Sequence, residues 1–394
     1  MWRWLLGAVV VVVALLCASL SNRGPDWQET MRWADACRAS WQVERGVPEM
    51  PHEPLPGSAV DTYAAAARAA AGLDAKALQR LLDAPMPLQP TAADQAALAA
   101  QAPVVALVLQ AARQRGSGDG ATAAARLEVL DLLRAIEALQ VHEKMLAGTD
   151  PEAAFAVVLA GLQVGSDLVH SPYVIESAIG QVVVLRFVGR CADERLRVIS
   201  PAHLARLGAV LAAVDRSFRH RPDPAAHQCI DLVESLRSPT ALDGFLFGPW
   251  VHLRAWRHGF SILELARDQA AELVALVAAQ EHAREHARSA PSTAWPAERA
   301  RLGELDTQFT ALDSIGWGPG CLVEMAREQR AALVELRLLR LAVAFHARQE
   351  LPPLVDPFGA SDLVARLDGD RATFVRTAAV GEPASERTAE RAPR

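Results

Sequence analysis

The sequence has little of what a β-sheet protein or a nucleic-acid-binding protein requires. It contains two tyrosines, and few runs of β-branched residues follow residue 20, which favours helix over sheet. Lysine occurs only at Lys76 and Lys144, the net charge is −6, and no basic stripe is present. Nucleic acid is therefore not expected as a partner.

The short motifs of common active sites are also missing. There is no C-x-x-C, which argues against a zinc knuckle or a thioredoxin-type site, and no G-x-S-x-G or S-x-x-K. The glycine-rich run Gly316–Gly320 lacks a following Lys-Ser or Lys-Thr, so a turn between helices is expected there instead of a phosphate loop. The motifs therefore predict no catalytic residue and no cofactor.

Cysteine is scarce, with five residues in the chain. Four of them, Cys37, Cys191, Cys229 and Cys321, follow the apolar N-terminus. In an oxidising compartment this even number allows two disulfides in three connectivities, and a Cys191–Cys229 bond across a pair of helices is one option. Four buried thiols are the alternative, and the sequence leaves both open.

The most informative segment that is present is the apolar run at residues 4–20, which follows Arg3 and carries no charge. As a helix it would span about 25 Å, near the lower limit for a bilayer core of about 30 Å. Residues 1–21 are therefore predicted to be a signal anchor or a cleaved signal peptide. The anchor would make the chain a single-pass protein of the bacterial inner membrane with its N-terminus inside and its body in the periplasm. Cleavage would release a periplasmic or secreted protein.

The body is predicted to be all-α. Residues 22–57 fit a short helix and a proline-rich linker, and residues 58–350 fit a helical domain of antiparallel hairpins. The predicted architecture is tetratricopeptide-like, or an irregular α-solenoid or bundle. Four helices are predicted to begin with an N-cap residue followed by proline, at Asp150-Pro151, Ser171-Pro172, Ser200-Pro201 and Asp223-Pro224.

The C-terminal part changes character. Residues 351–378 are predicted to form a turn and a small β-hairpin, with two apolar runs flanking Asp368-Gly369-Asp370. Residues 379–394 are polar and are predicted to be disordered.

Residues 336–375, LRLLRLAVAFHARQELPPLVDPFGASDLVARLDGDRATFV, carry a resemblance to a known kind of protein. They are similar to the C-terminal part of a group of uncharacterised exported helical proteins of bacteria, and the stretches 58–74 and 101–114 resemble the early helices of that group. The turn Asp356-Pro357-Phe358-Gly359 also resembles the tail of type II secretion pseudopilins. That likeness implies a secretion-associated role and a calcium loop, for which Asp362, Asp368 and Asp370 would be the carboxylates. The N-terminus does not match a pilin start.

The sharpest candidate for chemistry is His282-Ala283-Arg284-Glu285-His286, which has the inverted zinc-protease spacing H-x-x-E-H. Histidines at i and i+4 share a helix face and can ligate one Zn²⁺, with the glutamate as base. The other interpretation is a solvated helix end in which Glu281 and Glu285 pair with arginines. His142-Glu143 is weaker, because the second histidine of H-E-x-x-H is absent.

Together these features favour a membrane-anchored extracytoplasmic scaffold or protein-binding module with no metal and a protein partner that the sequence does not identify. A metal-dependent hydrolase using His282, Glu285 and His286, and a secretion-associated protein, are the alternatives.

Overall fold

The fold is mostly helical, as the sequence predicts, and the described part divides into two compact units. The larger unit takes its described residues from 39–222, 292–298 and 324–394, and the smaller unit from 1–38, 223–291 and 299–323. The computed structural model describes residues 27–43, 55–85, 88, 90–114, 129–169, 174–219, 224–237, 267, 270–278, 295–312, 322–358, 363–376 and 385–391.

The helices are numbered here in chain order. They are α1 (Trp27–Val43), α2 (Ala59–Ala70), α3 (Ala75–Asp83), α4 (Ala92–Ala111), α5 (Val129–Ala147), α6 (Pro151–Val169), α7 (Val174–Arg190), α8 (Asp193–Val198), α9 (Pro201–Arg219), α10 (Pro224–Arg237), α11 (Trp295–Leu312) and α12 (Leu322–His346).

Three of the predicted helix starts at proline are confirmed, two of them with their N-cap residue, while Asp223 lies outside the described residues. Helices α6, α9 and α10 begin at Pro151, Pro201 and Pro224. The Asp150 carboxylate accepts from the Ala153 amide at 3.0 Å, and the Ser200 hydroxyl accepts from the His203 amide at 3.3 Å. Both caps satisfy amides that have no intrahelical partner. The fourth start, Ser171-Pro172, lies outside the described residues.

Helices α6 and α7 form an antiparallel hairpin that is packed through glycine. A Cβ atom added at Gly161 would lie 2.3 Å from the Phe187 ring, and one at Gly180 would lie 2.4 Å from the Val169 amide nitrogen. Glycine therefore allows the two backbones to approach more closely than alanine would. Helical repeats beyond this hairpin stay a prediction.

Helix α6 is the one helix in the described ranges that is long and apolar enough to cross a membrane. It has 19 residues and a mean hydropathy of 1.5, but 78% of its apolar window is buried inside the protein. Burial by neighbouring helices suits the core helix of a folded body. The predicted membrane segment, residues 4–20, lies outside the described residues.

The C-terminal hairpin is confirmed, but the prediction of a disordered tail is wrong for residues 385–390. Strands β1 (Val364–Asp368), β2 (Arg371–Arg376) and β3 (Ser385–Glu390) form an antiparallel sheet in the order β1-β2-β3. Ala372 pairs with both Leu367 and Ala389, and Ala389 is fully buried. The polar composition of β3 hides it from sequence reasoning, because tertiary contacts stabilise the strand more than its own apolar pattern does.

Polar contacts hold β3 against the helices. The Arg387 guanidinium donates to the Cys191 carbonyl, and the Glu390 amide donates to the Asp193 carboxylate at 3.2 Å. The same carboxylate contacts the His346 ring nitrogen at 2.7 Å. Glu390 also forms an ion pair of 2.8 Å with Arg197. The start of α8, the end of α12 and β3 therefore share one polar cluster.

In the smaller unit, an arginine and an aspartate make the clearest contacts. The Arg267 guanidinium stacks over the Trp27 ring at 5.3 Å and donates to the Leu236 carbonyl at 3.0 Å. The Asp306 carboxylate accepts from the amides of Leu322 and Val323 at 2.9 and 3.2 Å. Asp306 thus caps the N-terminus of α12 from α11.

Candidate binding groove

An open groove lies between α4 and α5 in the larger unit. It has a volume of about 300 Å³. Most of its lining is apolar, with one amide and one imidazole among the side chains. The lining residues are Leu98, Gln101, Ala102, Val105, Ala106, Leu109, His142 and Met145.

The α4 wall of the groove is uncharged. No Asp, Glu, Lys or Arg occurs from Gln95 to Ala112. Val105 is buried at 4% exposure, whereas Ala102 and Ala106 are exposed. A helix face that is apolar and still exposed is a usual feature of a surface that contacts a partner or a ligand.

Two polar side chains enter this apolar groove. Gln101 is 3% exposed and His142 is half-buried. Within the described part of the chain, neither side chain forms a hydrogen bond. Burial lowers the pKa of His142 below its ordinary value of 6.5, so its ring is neutral at pH 7 and can both donate and accept. The groove can thus offer hydrogen bonds as well as apolar contact.

Helix α3 fixes the position of α4. Thr91 and Asp94 form a reciprocal capping box at the start of α4, and Arg80 of α3 pairs with Asp94 at 2.5 Å. The hydrogen bond from the Thr91 hydroxyl, followed by that from Arg80, lowers the pKa of Asp94 to about 2. Asp94 is therefore charged over the physiological range and holds the α4 wall to α3.

Helix α3 also fixes the position of α5. The Lys144 ammonium donates to the carbonyls of Leu81 and Leu82 at 3.1 and 2.8 Å, and to that of Ala84. Lys144 is 3% exposed, so it places a positive charge at the C-terminus of α3, where carbonyls lack helical donors. Because α3 contacts both walls, it sets the spacing between them.

The predicted metal cluster cannot be placed by the structure. His282, Glu285 and His286 lie outside the described residues, and the zinc interpretation stays a prediction. Among the residues that the structure describes, no group of three or more His, Cys, Asp or Glu side chains is suited to a metal ion.

The cysteine alternatives are settled at one position. Cys191 is a buried thiol, not half of a disulfide, and its Sγ donates to the Phe187 carbonyl at 3.5 Å. Burial raises the pKa of this thiol to about 12. The Cys191–Cys229 bond is therefore wrong for this structure. Cys37 and Cys229 belong to described helices, and Cys321 lies outside the described residues.

In the turn that resembles a pseudopilin tail, Asp356 and Phe358 contact other residues of the same chain. The Asp356 carboxylate accepts from the Phe358 amide at 2.9 Å and lies 3.4 Å from Arg376. Arg376 stacks over the Phe358 ring at 4.0 Å, and Phe358 meets Trp295 edge-on at 5.6 Å. Asp356 and Phe358 therefore join the sheet to α11.

The carboxylates expected for a calcium loop do not form a cluster in the described part. Asp368 and Asp370 are exposed at the β1–β2 turn, and Asp362 lies outside the described residues. A calcium site stays an expectation from the resemblance alone.

Comparison with known proteins returned no match: no protein-family model fits the chain, and neither a curated protein nor a solved structure shows significant similarity to it. The resemblance to exported helical proteins and to pseudopilin tails therefore stays a prediction.

Sequence reasoning missed the groove as a site. It considered His142 only for a metal motif, and it did not consider Gln101. The available signal was the uncharged stretch 95–112, which spans five turns of helix without one charged residue to mark a solvent face.

Proposed function

We propose that the chain is a membrane-anchored, extracytoplasmic helical scaffold whose α4–α5 groove binds an apolar segment of a partner protein. The observation that carries the proposal is the apolar groove with Gln101 and His142, two polar side chains that lack partners among the described residues. The donors and acceptors of both side chains remain available in the groove, so their position favours an occupant that forms hydrogen bonds with them.

The lining of the groove determines which kind of partner segment it would bind. Its uncharged α4 wall and neutral His142 offer no counter-charge, so a charged segment would lose hydration without compensation. A volume of about 300 Å³ lies at the lower end of the range for ligand pockets, about 300–1,000 Å³. A short apolar stretch with backbone or side-chain donors fits both limits.

The proposed location rests on residues 4–20. Their apolar run supports an anchor that holds the helical body on the outer face of the inner membrane, or a signal that releases it there. Helix α6 is not offered as the anchor, since most of it is buried within the body.

Site-specific crosslinking in native membranes tests the groove. A photoreactive amino acid at Ala106, an exposed groove residue, should give one defined protein adduct identifiable by mass spectrometry. The matched control is Ala100, which is exposed on the same helix but does not line the groove. Adding Ala102→Trp, which fills the groove, should remove the Ala106 adduct.

Three outcomes would count against the proposal. They are equal adducts from Ala106 and Ala100, no effect of Ala102→Trp, and no adduct at all. Stoichiometric zinc in the purified protein that disappears in His282→Ala and His286→Ala would instead support the hydrolase alternative.

A further inference from the structure

A second, smaller pocket lies at the C-terminal end of α5 and shares no lining residue with the groove. It has a volume of about 100 Å³ and forms where the end of α5, the start of α6, the end of α7 and α8 meet. Its lining residues are Ala147, Pro151, Phe155, Val158, Arg190, Cys191, Arg195, Val198 and Ile199.

The only charged side chains that line this pocket are Arg190 and Arg195, and a single carboxylate faces them. Glu143 is fully buried, and its two oxygens lie 2.5 Å from Arg195 and 3.6 Å from Arg190. Two guanidinium groups therefore share one carboxylate, and their side chains are 28% and 30% exposed. A partly buried pair of cations with one counter-charge favours an anion or water beside it.

The two arginines differ in how well the protein satisfies them. Arg195 contacts Glu143 and also donates to the Arg190 carbonyl at 3.0 Å. Arg190 has only its 3.6 Å ion pair and donates no hydrogen bond to any residue that the structure describes. A guanidinium has five N–H donors in a planar fork that matches a carboxylate. The donors of Arg190 are therefore open to a ligand at the pocket.

The rest of the pocket is apolar. Phe155 and Val158 are buried in its wall, whereas Val198 at the rim is 75% exposed, the largest exposure among the exposed large apolar residues of the described chain. Cys191 adds no competing negative charge, since its buried thiol has a pKa of about 12. An apolar wall and an exposed apolar rim around one open guanidinium favour a ligand with a charged head and an aliphatic body.

We propose that this pocket binds the carboxylate of a small aliphatic acid, with Arg190 donating to the carboxylate and Phe155, Val158 and Val198 covering the aliphatic part. The size of the pocket limits the ligand. A cavity of about 150 Å³ holds the six carbons of benzene, so about 100 Å³ holds about four non-hydrogen atoms, the size of acetate. The end of a longer acid such as butyrate would extend over the exposed Val198 at the rim.

A carboxylate next to a short aliphatic group can come from two sources. It is present in a free short-chain acid and in the C-terminal residue of a protein that ends in a small aliphatic side chain. Both present one carboxylate next to a short apolar group, and the experiment separates them.

The test uses the full-length chain in a nonionic detergent and ligand-observed NMR, with protein-free micelles as the blank. Butyrate should bind, and butyramide, which has the same shape without the charge, should bind about 10- to 100-fold more weakly because a charge-assisted hydrogen bond is lost. Affinity should rise about tenfold from acetate to butyrate as two methylenes are buried. Equal binding of butyrate and butyramide would overturn the proposal, and so would no binding of any acid.

Two sets of variants locate the site. Arg190→Gln should weaken butyrate binding about 10- to 100-fold, whereas Arg186→Gln, one turn earlier on α7 and outside the pocket lining, should not change it. If Arg190→Gln does not fold, Val198 provides an exposed position where folding is preserved. Val198→Asp should weaken binding through repulsion, and Val198→Lys should retain it. Equal effects of these two changes would contradict the assignment.

The two sources are compared directly. A tetrapeptide ending in valine that competes with butyrate, while its C-terminal amide does not, would identify a protein C-terminus as a ligand. Butyrate binding without such competition would identify a free acid.

Discussion

The α6–α7 hairpin and the C-terminal sheet belong to the same unit but are held by different interactions. At the hairpin, Gly161, Gly165 and Gly180 bring two backbones together, and added Cβ atoms would overlap the neighbouring helix. In the C-terminal region, arginines of α12 and of the sheet are instead held by buried aspartates. Asp215 is fully buried and contacts Arg337 at 3.0 Å and Arg340, and Asp356 pairs with Arg376.

The difference shows which kind of change each region resists. The hairpin packs closely because its glycines have no Cβ atom, so added side-chain volume should destabilise it. Its packing does not depend on charged groups. The C-terminal region depends on compensation, so it is sensitive to the loss of one charged partner. An added side chain should therefore destabilise the hairpin most, and the loss of one charged partner should destabilise the C-terminal region most.

The largest effect is expected from Asp215→Ala. Arg337 and Arg340 have side chains that are 8% and 14% exposed, and the variant would leave them buried without their carboxylate. The expected loss is about 3–5 kcal/mol in the free energy of unfolding, measured by urea denaturation. Glu324→Ala on α12 is the control, because its pair with Arg327 is 62% and 43% exposed and should contribute about 0.5 kcal/mol or less.

A triple variant separates charge from packing at the same site. Combining Asp215→Leu with Arg337→Met and Arg340→Met removes all three charges. Because an apolar replacement of a complete buried ion-pair cluster is often neutral or stabilising, the stability should return close to the original value. A triple variant as unstable as Asp215→Ala would show that the packing of the arginine side chains, and not the pairing of their charges with Asp215, stabilises this site.

The next effect is expected at the hairpin, from Gly180→Ala. The added Cβ would lie 2.4 Å from the Val169 nitrogen and 2.7 Å from the Gly165 oxygen, both backbone atoms that cannot rotate away. The expected loss is about 3 kcal/mol in the free energy of unfolding, again from urea denaturation.

Gly189→Ala, on the same helix, is the matched control for Gly180→Ala. No atom lies within 4 Å of a Cβ added there. It should stabilise the protein by about 0.5–1 kcal/mol, because alanine is a better helix former than glycine. The interpretation of close backbone packing fails if both variants shift stability in the same direction.

A smaller effect is expected for the coupling between Phe358 and Arg376, which lie 4.0 Å apart in a cation–π contact. A double-mutant cycle with Phe358→Leu and Arg376→Met should give a coupling of about 0.5–2 kcal/mol in unfolding free energy. The cycle of Phe358→Leu with Arg197→Met should be additive to within about 0.5 kcal/mol, because Arg197 pairs with Asp193 and Glu390 instead. Equal coupling in both cycles would argue against a direct contact.

Local chemistry made much of the fold predictable. Asp150-Pro151 and Ser200-Pro201 predict helix starts because each pairs a side-chain acceptor with a residue that has no N–H to satisfy, and α6 and α9 begin there. The β1–β2 hairpin was predictable for a similar reason, since Asp368-Gly369-Asp370 supplies a turn glycine, whose φ is +57°.

What the sequence concealed depends on contacts between distant residues. Strand β3 has almost no apolar pattern, and its position depends on Arg387, Glu390 and their partners near α8. The uncharged stretch 95–112 was a signal for the α4 wall, but the sequence does not show which face of α4 its neighbours leave open, so the groove at Gln101 and His142 was not located. The Arg190 donors are likewise available only because Glu143 lies closer to Arg195, at 2.5 Å, than to Arg190, at 3.6 Å.

The smallest effect concerns the pH dependence of Asp94, which joins α3 to the groove wall. Its folded pKa is about 2, against an ordinary value of 3.8, and the Thr91 hydroxyl is the largest cause. Because the folded pKa is the lower one, the stabilisation is fully present above about pH 3.8 and is lost as the pH falls towards 2. Asp94→Asn should therefore be less stable than the unchanged protein at pH 5, and the difference should shrink between pH 4 and pH 2 when urea denaturation is followed at each pH. Thr91→Ala should weaken the same pH dependence, because it removes the main hydrogen bond to the carboxylate. If the stability difference between the unchanged protein and the Asp94→Asn variant stays constant from pH 5 to pH 2, then packing, rather than charge, connects this carboxylate to α3.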